Sequence, residues 1–77
     1  MAVFEVENSY RHNDSGYYDV LCVKRTEKSV WMQYNHGGVY RMKVRLDEAG
    51  NEWTVDTKIP KRHWDVLTIQ SKNLGGI

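Results

Sequence analysis

From residue 39 to residue 46 the side chains alternate with a period of two: Tyr40, Met42, Val44 and Leu46 fall on one face, Arg41, Lys43 and Arg45 on the other. A helix would scatter these residues around its axis, whereas a strand with one buried face requires this order. No window places apolar residues at i, i+3, i+4 and i+7 through three turns, so the pattern predicts an all-β chain. Residues 17–25 form a near-continuous run of apolar β-formers and predict a central strand covered on both faces. Residues 30–34 predict a third strand, with Val30, Met32 and Tyr34 on one face and Trp31 and Gln33 on the other. A first strand over residues 3–7, a fifth over 52–56 and a last over 65–70 complete the set.

Turn chemistry separates these segments. Asn35-His36-Gly37-Gly38 supplies residues that tolerate positive φ between the third and fourth strands, and Asp47-Glu48-Ala49-Gly50-Asn51 does so between the fourth and fifth. Thr26-Glu27-Lys28-Ser29 is a polar link, and Asn13-Asp14-Ser15-Gly16 closes the long first loop that carries Tyr10, Arg11 and His12. Pro60 presets φ for a single 3₁₀ turn over residues 61–64, just before the last strand. Two consecutive hairpins make a meander. Short strands in so small a chain hide their edges best by closing, so the expected fold is a small SH3-like barrel of five to six short antiparallel strands. Residues 1–71 form its one domain and residues 72–77, with two glycines and no pattern, a flexible tail.

Size then allots the aromatics. A domain of 77 residues buries only about 60% of the surface its unfolded chain exposes, so aromatic side chains must supply much of the core. Phe4, Tyr18, Tyr40, Trp53 and Trp64 are assigned to the core or the barrel seam, and Trp31 to the outer face. The same smallness leaves little wall to enclose a substrate pocket of several hundred Å³. His12, His36 and His63 lie far apart in predicted loops, and Cys22 lies inside the most apolar strand, where a thiol is buried and inert. No nucleophile, phosphate-loop or zinc-ligand spacing is present, so the expectation is a non-enzymatic module with no cofactor and no metal. One cysteine excludes an intrachain disulfide framework. No apolar run reaches the ~20 residues of a membrane span, which together with the cysteine usage predicts a cytoplasmic protein that does not enter a membrane.

The net charge of +1 conceals a segregation along the chain. Residues 1–23 carry a balance of −3, residues 24–45 one of +5, residues 46–57 one of −4 and residues 58–77 one of +3. The basic block is the sharper feature. Arg41, Lys43 and Arg45 project from one face about 6.5–7 Å apart, close to the spacing of phosphates along a single strand. Trp31, with Lys24, Arg25 and Lys28 from the adjoining turn, adds an aromatic among cations, the combination that nucleic-acid binders use for stacking and charge. The competing reading is a solvated face whose cations pair with Glu27, Glu52 or Asp56 across the hairpins, each pair worth well under ~1 kcal/mol. The acidic block supports a different class: Asp47, Glu48, Glu52 and Asp56 on one hairpin present negative charge to a basic partner protein.

The stretch Lys24-Arg25-Thr26, Val30-Trp31, the Gly37-Gly38 turn, Tyr40-Arg41-Met42-Lys43-Val44-Arg45 and Asp47-Glu48-Ala49-Gly50-Asn51-Glu52-Trp53 resembles a group of small proteins of bacteria, phages and mobile elements. Their pattern is Val-Lys-Arg-Thr, a strand, a Gly turn, Arg-x-Lys-Val/Ile and Asp-x-x-Gly-x-Glu-aromatic. The resemblance covers about residues 20–53 and implies a bacterial or phage origin, with no activity to carry over. Residues 59–64, Ile-Pro-Lys-Arg-His-Trp, look like the Pro-then-aromatic segment before the last strand of SH3 domains. The partner expected from these residues is nucleic acid, single strand or duplex. The alternative is a host nucleic-acid-handling protein, blocked by an inhibitor of the anti-CRISPR or anti-restriction kind or bound by an accessory factor. An unpaired edge at residues 5–7 also offers a route to a homodimer.

Overall fold

The computed structural model describes residues 1–13, 19–35, 37–56 and 67–75. Every regular element among them is a strand: β1 (Ser9–His12), β2 (Val20–Arg25), β3 (Ser29–Gln33), β4 (Val39–Lys43), β5 (Arg45–Leu46), β6 (Glu52–Val55) and β7 (Thr68–Leu74). All pair antiparallel in one sheet ordered β4-β3-β2-β1-β7-β6-β5. No helix among the described residues is long and apolar enough to cross a membrane.

The outermost strands of that order, β4 and β5, are one stretch of chain interrupted only at Val44. Val44 donates its N–H to the Lys28 carbonyl (2.9 Å), and the carbonyl before it, that of Lys43, accepts the hydroxyl of the buried Thr54 (2.6 Å). The bend is therefore anchored on both sides. Its first half pairs with β3 and its second half with β6.

One face of the sheet packs a core of Phe4, Tyr10, Val20, Cys22, Val30, Met32, Tyr34, Met42 and Ile69, with Tyr40 and Val44 half-buried against it. Each such side chain contributes roughly 1.5–3 kcal/mol by leaving water. Phe4 reaches the core from a segment without regular structure. Its ring meets Tyr10 edge to face (centroids 4.9 Å apart), and the backbone around it is tied to β6: Glu52 N–H donates to the Ala2 carbonyl and Phe4 N–H to the Glu52 side chain. The β3–β4 and β5–β6 turns each place a glycine at positive φ, Gly37 at 91° and Gly50 at 83°, where a side chain would strain the backbone. In the second turn the Asp47 carboxylate accepts the N–H groups of Ala49 and Asn51 (2.9 Å each).

Several expectations change. Residues 3–7 form no strand; Glu5 to Asn8 make a turn with Glu7 at φ 79°, so residues 5–7 provide no sheet edge. The first strand is Ser9–His12, expected as loop, because Ser9, Tyr10 and His12 are buried although only one of them is apolar. The expected tail is ordered pairing as far as Leu74: β7 holds Lys72 and Asn73, and Leu74 lies opposite Tyr10 of β1. Leu46, assigned to the inner face, is 67% exposed because β5 ends at the rim after two residues. Tyr17 and Tyr18, the turn at residues 14–16, His36, the 3₁₀ turn at 61–64 with Trp64, His63 and the first residues of the expected last strand lie outside the described residues.

Candidate nucleic-acid interface

The site begins with an irregularity in β2. Cys22 lies opposite Met32, but Lys24 lies opposite Trp31 and Arg25 opposite Val30, so Val23 is an extra residue without a partner. This bulge reverses the facing of the strand's last two residues. Lys24 turns outward to join Trp31, and Arg25 turns inward with the buried Val30.

Inside, Arg25 meets Glu52. The guanidinium forks onto the carboxylate (Nη1 to Oε1 2.6 Å, Nη2 to Oε2 3.0 Å) and also donates to the Phe4 carbonyl (2.7 Å). Glu52 is 7% exposed. The hydrogen bond from Arg25 is the main influence holding its carboxyl below the ordinary glutamate range; burial opposes it, and the Phe4 N–H adds to it. Toward the other end of the core, His12 Nε2 lies 2.5 Å from Asp56 Oδ2, both side chains essentially without exposure. Tyr34 packs near the His12 ring (centroids 6.2 Å), and burial first, then Asp56, pushes its phenol far above the ordinary tyrosine value.

These two pairs come from a strand that runs opposite to hydropathy. In β6 and the residue after it, Glu52, Thr54 and Asp56 are buried, while Trp53 and Val55 are half-buried. Trp53, expected in the core or the barrel seam, is not in the core: it lies opposite Arg45 of β5 and Gln70 of β7, with the Arg45 guanidinium 5.6 Å from its ring centroid. Inward positions of β6 are occupied by groups that pair with Arg25, His12 and the Lys43 carbonyl, which leaves the indole the outer side.

On that outer side Trp31 lies between Lys24 of β2 and Arg41 of β4, with the Lys24 ammonium 4.7 Å from its ring centroid. Lys43 follows opposite Ser29, Lys28 bonds the bend through its carbonyl, and Arg45 continues the row past Val44. Arg41, Lys43, Arg45, Lys24 and Lys28 are exposed. Among the described residues the contacts between a carboxylate and a basic side chain are His12–Asp56 and Arg25–Glu52, so no described carboxylate lies within pairing distance of the exposed cations.

Of the expected basic set, the structure brings Lys24, Trp31, Arg41, Lys43 and Arg45 to one surface, leaves Lys28 exposed in the turn beside them at the level of Val44, and takes Arg25 inside. Trp53 joins them; a five-residue turn after Leu46 already sets it opposite Arg45. Of the expected acidic set, Glu52 and Asp56 (3% exposed) are inside, and Asp47 holds its own turn, its carboxyl lowered chiefly by the Asn51 N–H. Glu48 is the one exposed carboxylate of the four without such a role. Cys22 is fully buried, and burial pushes its thiol upward. Comparison with known proteins finds no family model, curated protein or solved structure that matches the chain.

Proposed function

We propose that the protein is a non-enzymatic module that holds nucleic acid, with little sequence specificity, on the outer face bearing Lys24, Trp31, Arg41, Lys43, Arg45 and Trp53, with Lys28 beside it. The observation that carries this reading is the fate of the carboxylates. Had Glu52 and Asp56 faced outward, the cations of β4 and β5 would have had partners; turned inward, they leave a row of positive charge with two indoles. Such a row attracts a polyanion by releasing its counterions. In this reading the sheet also closes into a small barrel of the SH3-like kind, supported by the single stretch that supplies both ends of the strand order and by the Thr54 bond across the gap. Closure makes the row a convex ridge. The inhibitor reading draws less support, because its acidic hairpin keeps only Asp47 and Glu48 at the surface.

The test is a titration of a labelled single strand and a labelled duplex. Four phosphate contacts, at Lys24, Arg41, Lys43 and Arg45, predict that affinity falls roughly 50- to 150-fold between about 50 and 200 mM salt. Arg41→Ala with Lys43→Ala removes most of the binding. No binding of either probe at low salt defeats the proposal.

A further inference from the structure

Two tryptophans flank the bent strand on opposite sides and at opposite ends. Trp31 sits beside Arg41 on the β3 side, and Trp53 beside Arg45 on the β6 side. Four residues of strand separate the two levels, at most about 13 Å because the chain bends at Val44, and the two neighbouring strands stand at most about 9–10 Å apart across the bend. The indoles are thus no more than about 16 Å apart at backbone level, with Arg41, Lys43 and Arg45 running diagonally between them. A nucleotide in an unstacked strand spans roughly twice the 3.4 Å of a stacked one, so two or three nucleotides fit between the rings.

Both indoles are half-buried by their neighbours, and each has a cation over its ring, Lys24 at 4.7 Å and Arg45 at 5.6 Å from the centroid. A stacking base takes the place of that flexible side chain on the ring face, and its phosphate receives the displaced charge, so ring and charge act on one nucleotide. Duplex DNA cannot use this arrangement. Its base faces are covered by their neighbours and only edges show in the grooves, whereas a single strand offers a free π-face at every residue. A cation row without the indoles would serve either form equally.

Resting on the nucleic-acid reading above, we infer that the ligand is a single strand, with bases stacked on Trp31 and Trp53 and the intervening phosphates on Arg41, Lys43 and Arg45. Phosphate and base face are common to DNA and RNA, so the site takes both sugars.

The probes are decathymidylate, decauridylate and a ten-base-pair duplex at about 50 mM salt, followed by indole emission and by anisotropy of a labelled strand. Both single strands quench the indole emission and bind at least about tenfold more tightly than the duplex. Trp53→Ala and Trp31→Ala each weaken decathymidylate binding about tenfold, while Trp53→Phe and Trp31→Phe, which keep a stacking ring and the fold, restore most of it. Duplex binding as tight as single-strand binding, or single-strand binding unaltered in both alanine variants, overturns the inference and leaves the nucleic-acid reading standing. Failure of all three probes to bind overturns that reading itself. A strong preference for one sugar contradicts the shared-chemistry claim.

Discussion

The interior and the outer face treat charge in opposite ways. Inside, Arg25 and His12 each meet a carboxylate on or just after β6, with hydrogen bonds that satisfy what burial takes from water. Outside, the cations on β2, β4 and β5 meet indoles and solvent. Two carboxylates are thus committed to the interior, and the row on β2, β4 and β5 keeps its positive charge as a consequence. The buried pairs fix the register of β6 and with it the outward placement of Trp53, so the same choice that organises the core prepares the surface.

Breaking the inner pairs tests that contrast most severely. Asp56→Ala removes a hydrogen-bond partner of the buried His12 and lowers stability by about 3 kcal/mol in urea denaturation, the upper end for leaving a buried polar group unsatisfied. Arg25→Ala strands Glu52 and costs about 3 kcal/mol, the low end of the range for a broken buried ion pair because the guanidinium is 24% exposed. A loss below ~1 kcal/mol in both would mean that the inner pairs do not organise the core.

The Glu52 pair also carries a pH signature. A carboxyl held below its ordinary value contributes stability that is full above that ordinary value and is lost as pH falls through the native one. Wild-type unfolding free energy therefore declines below the ordinary glutamate range, and Glu52→Gln flattens that limb while leaving the part owed to Asp47. An unchanged acid limb in Glu52→Gln would contradict the assignment.

Smaller effects sharpen the boundary between the regions. Thr54→Val keeps the shape but deprives the Lys43 carbonyl of its donor at the bend, a loss of about 1 kcal/mol. Arg41→Ala with Lys43→Ala touches no described ion pair and alters stability by less than about 0.5 kcal/mol per substitution. A large loss there would show that the outer cations are structural.

The central strands were legible because hydropathy and facing agree in them: Val30 and Met32 alternate with Trp31, and Met42 with Arg41 and Lys43. In β6 the period of two was readable but the facing was not. Nothing in Glu-Trp-Thr-Val-Asp says that the acids find Arg25 and His12, residues far away in the chain. The same gap explains β1, whose Ser-Tyr-Arg-His carries no apolar alternation and is buried through pairs with distant partners. Arg25 was misplaced for a local reason, since a one-residue bulge reverses facing without changing composition. The basic row was therefore legible, and its freedom from carboxylates, on which the proposed nucleic-acid binding rests, emerged only from the fold.

The salt dependence of single-strand binding measures that freedom directly. Four unneutralised cations at the ligand, Lys24, Arg41, Lys43 and Arg45, predict that log affinity falls with log salt at a slope of about −2.8, and that Arg41→Ala with Lys43→Ala reduces the slope to roughly −1.4, the contacts left at Lys24 and Arg45. Absence of binding at low salt, or a slope unchanged in that variant, would contradict the account.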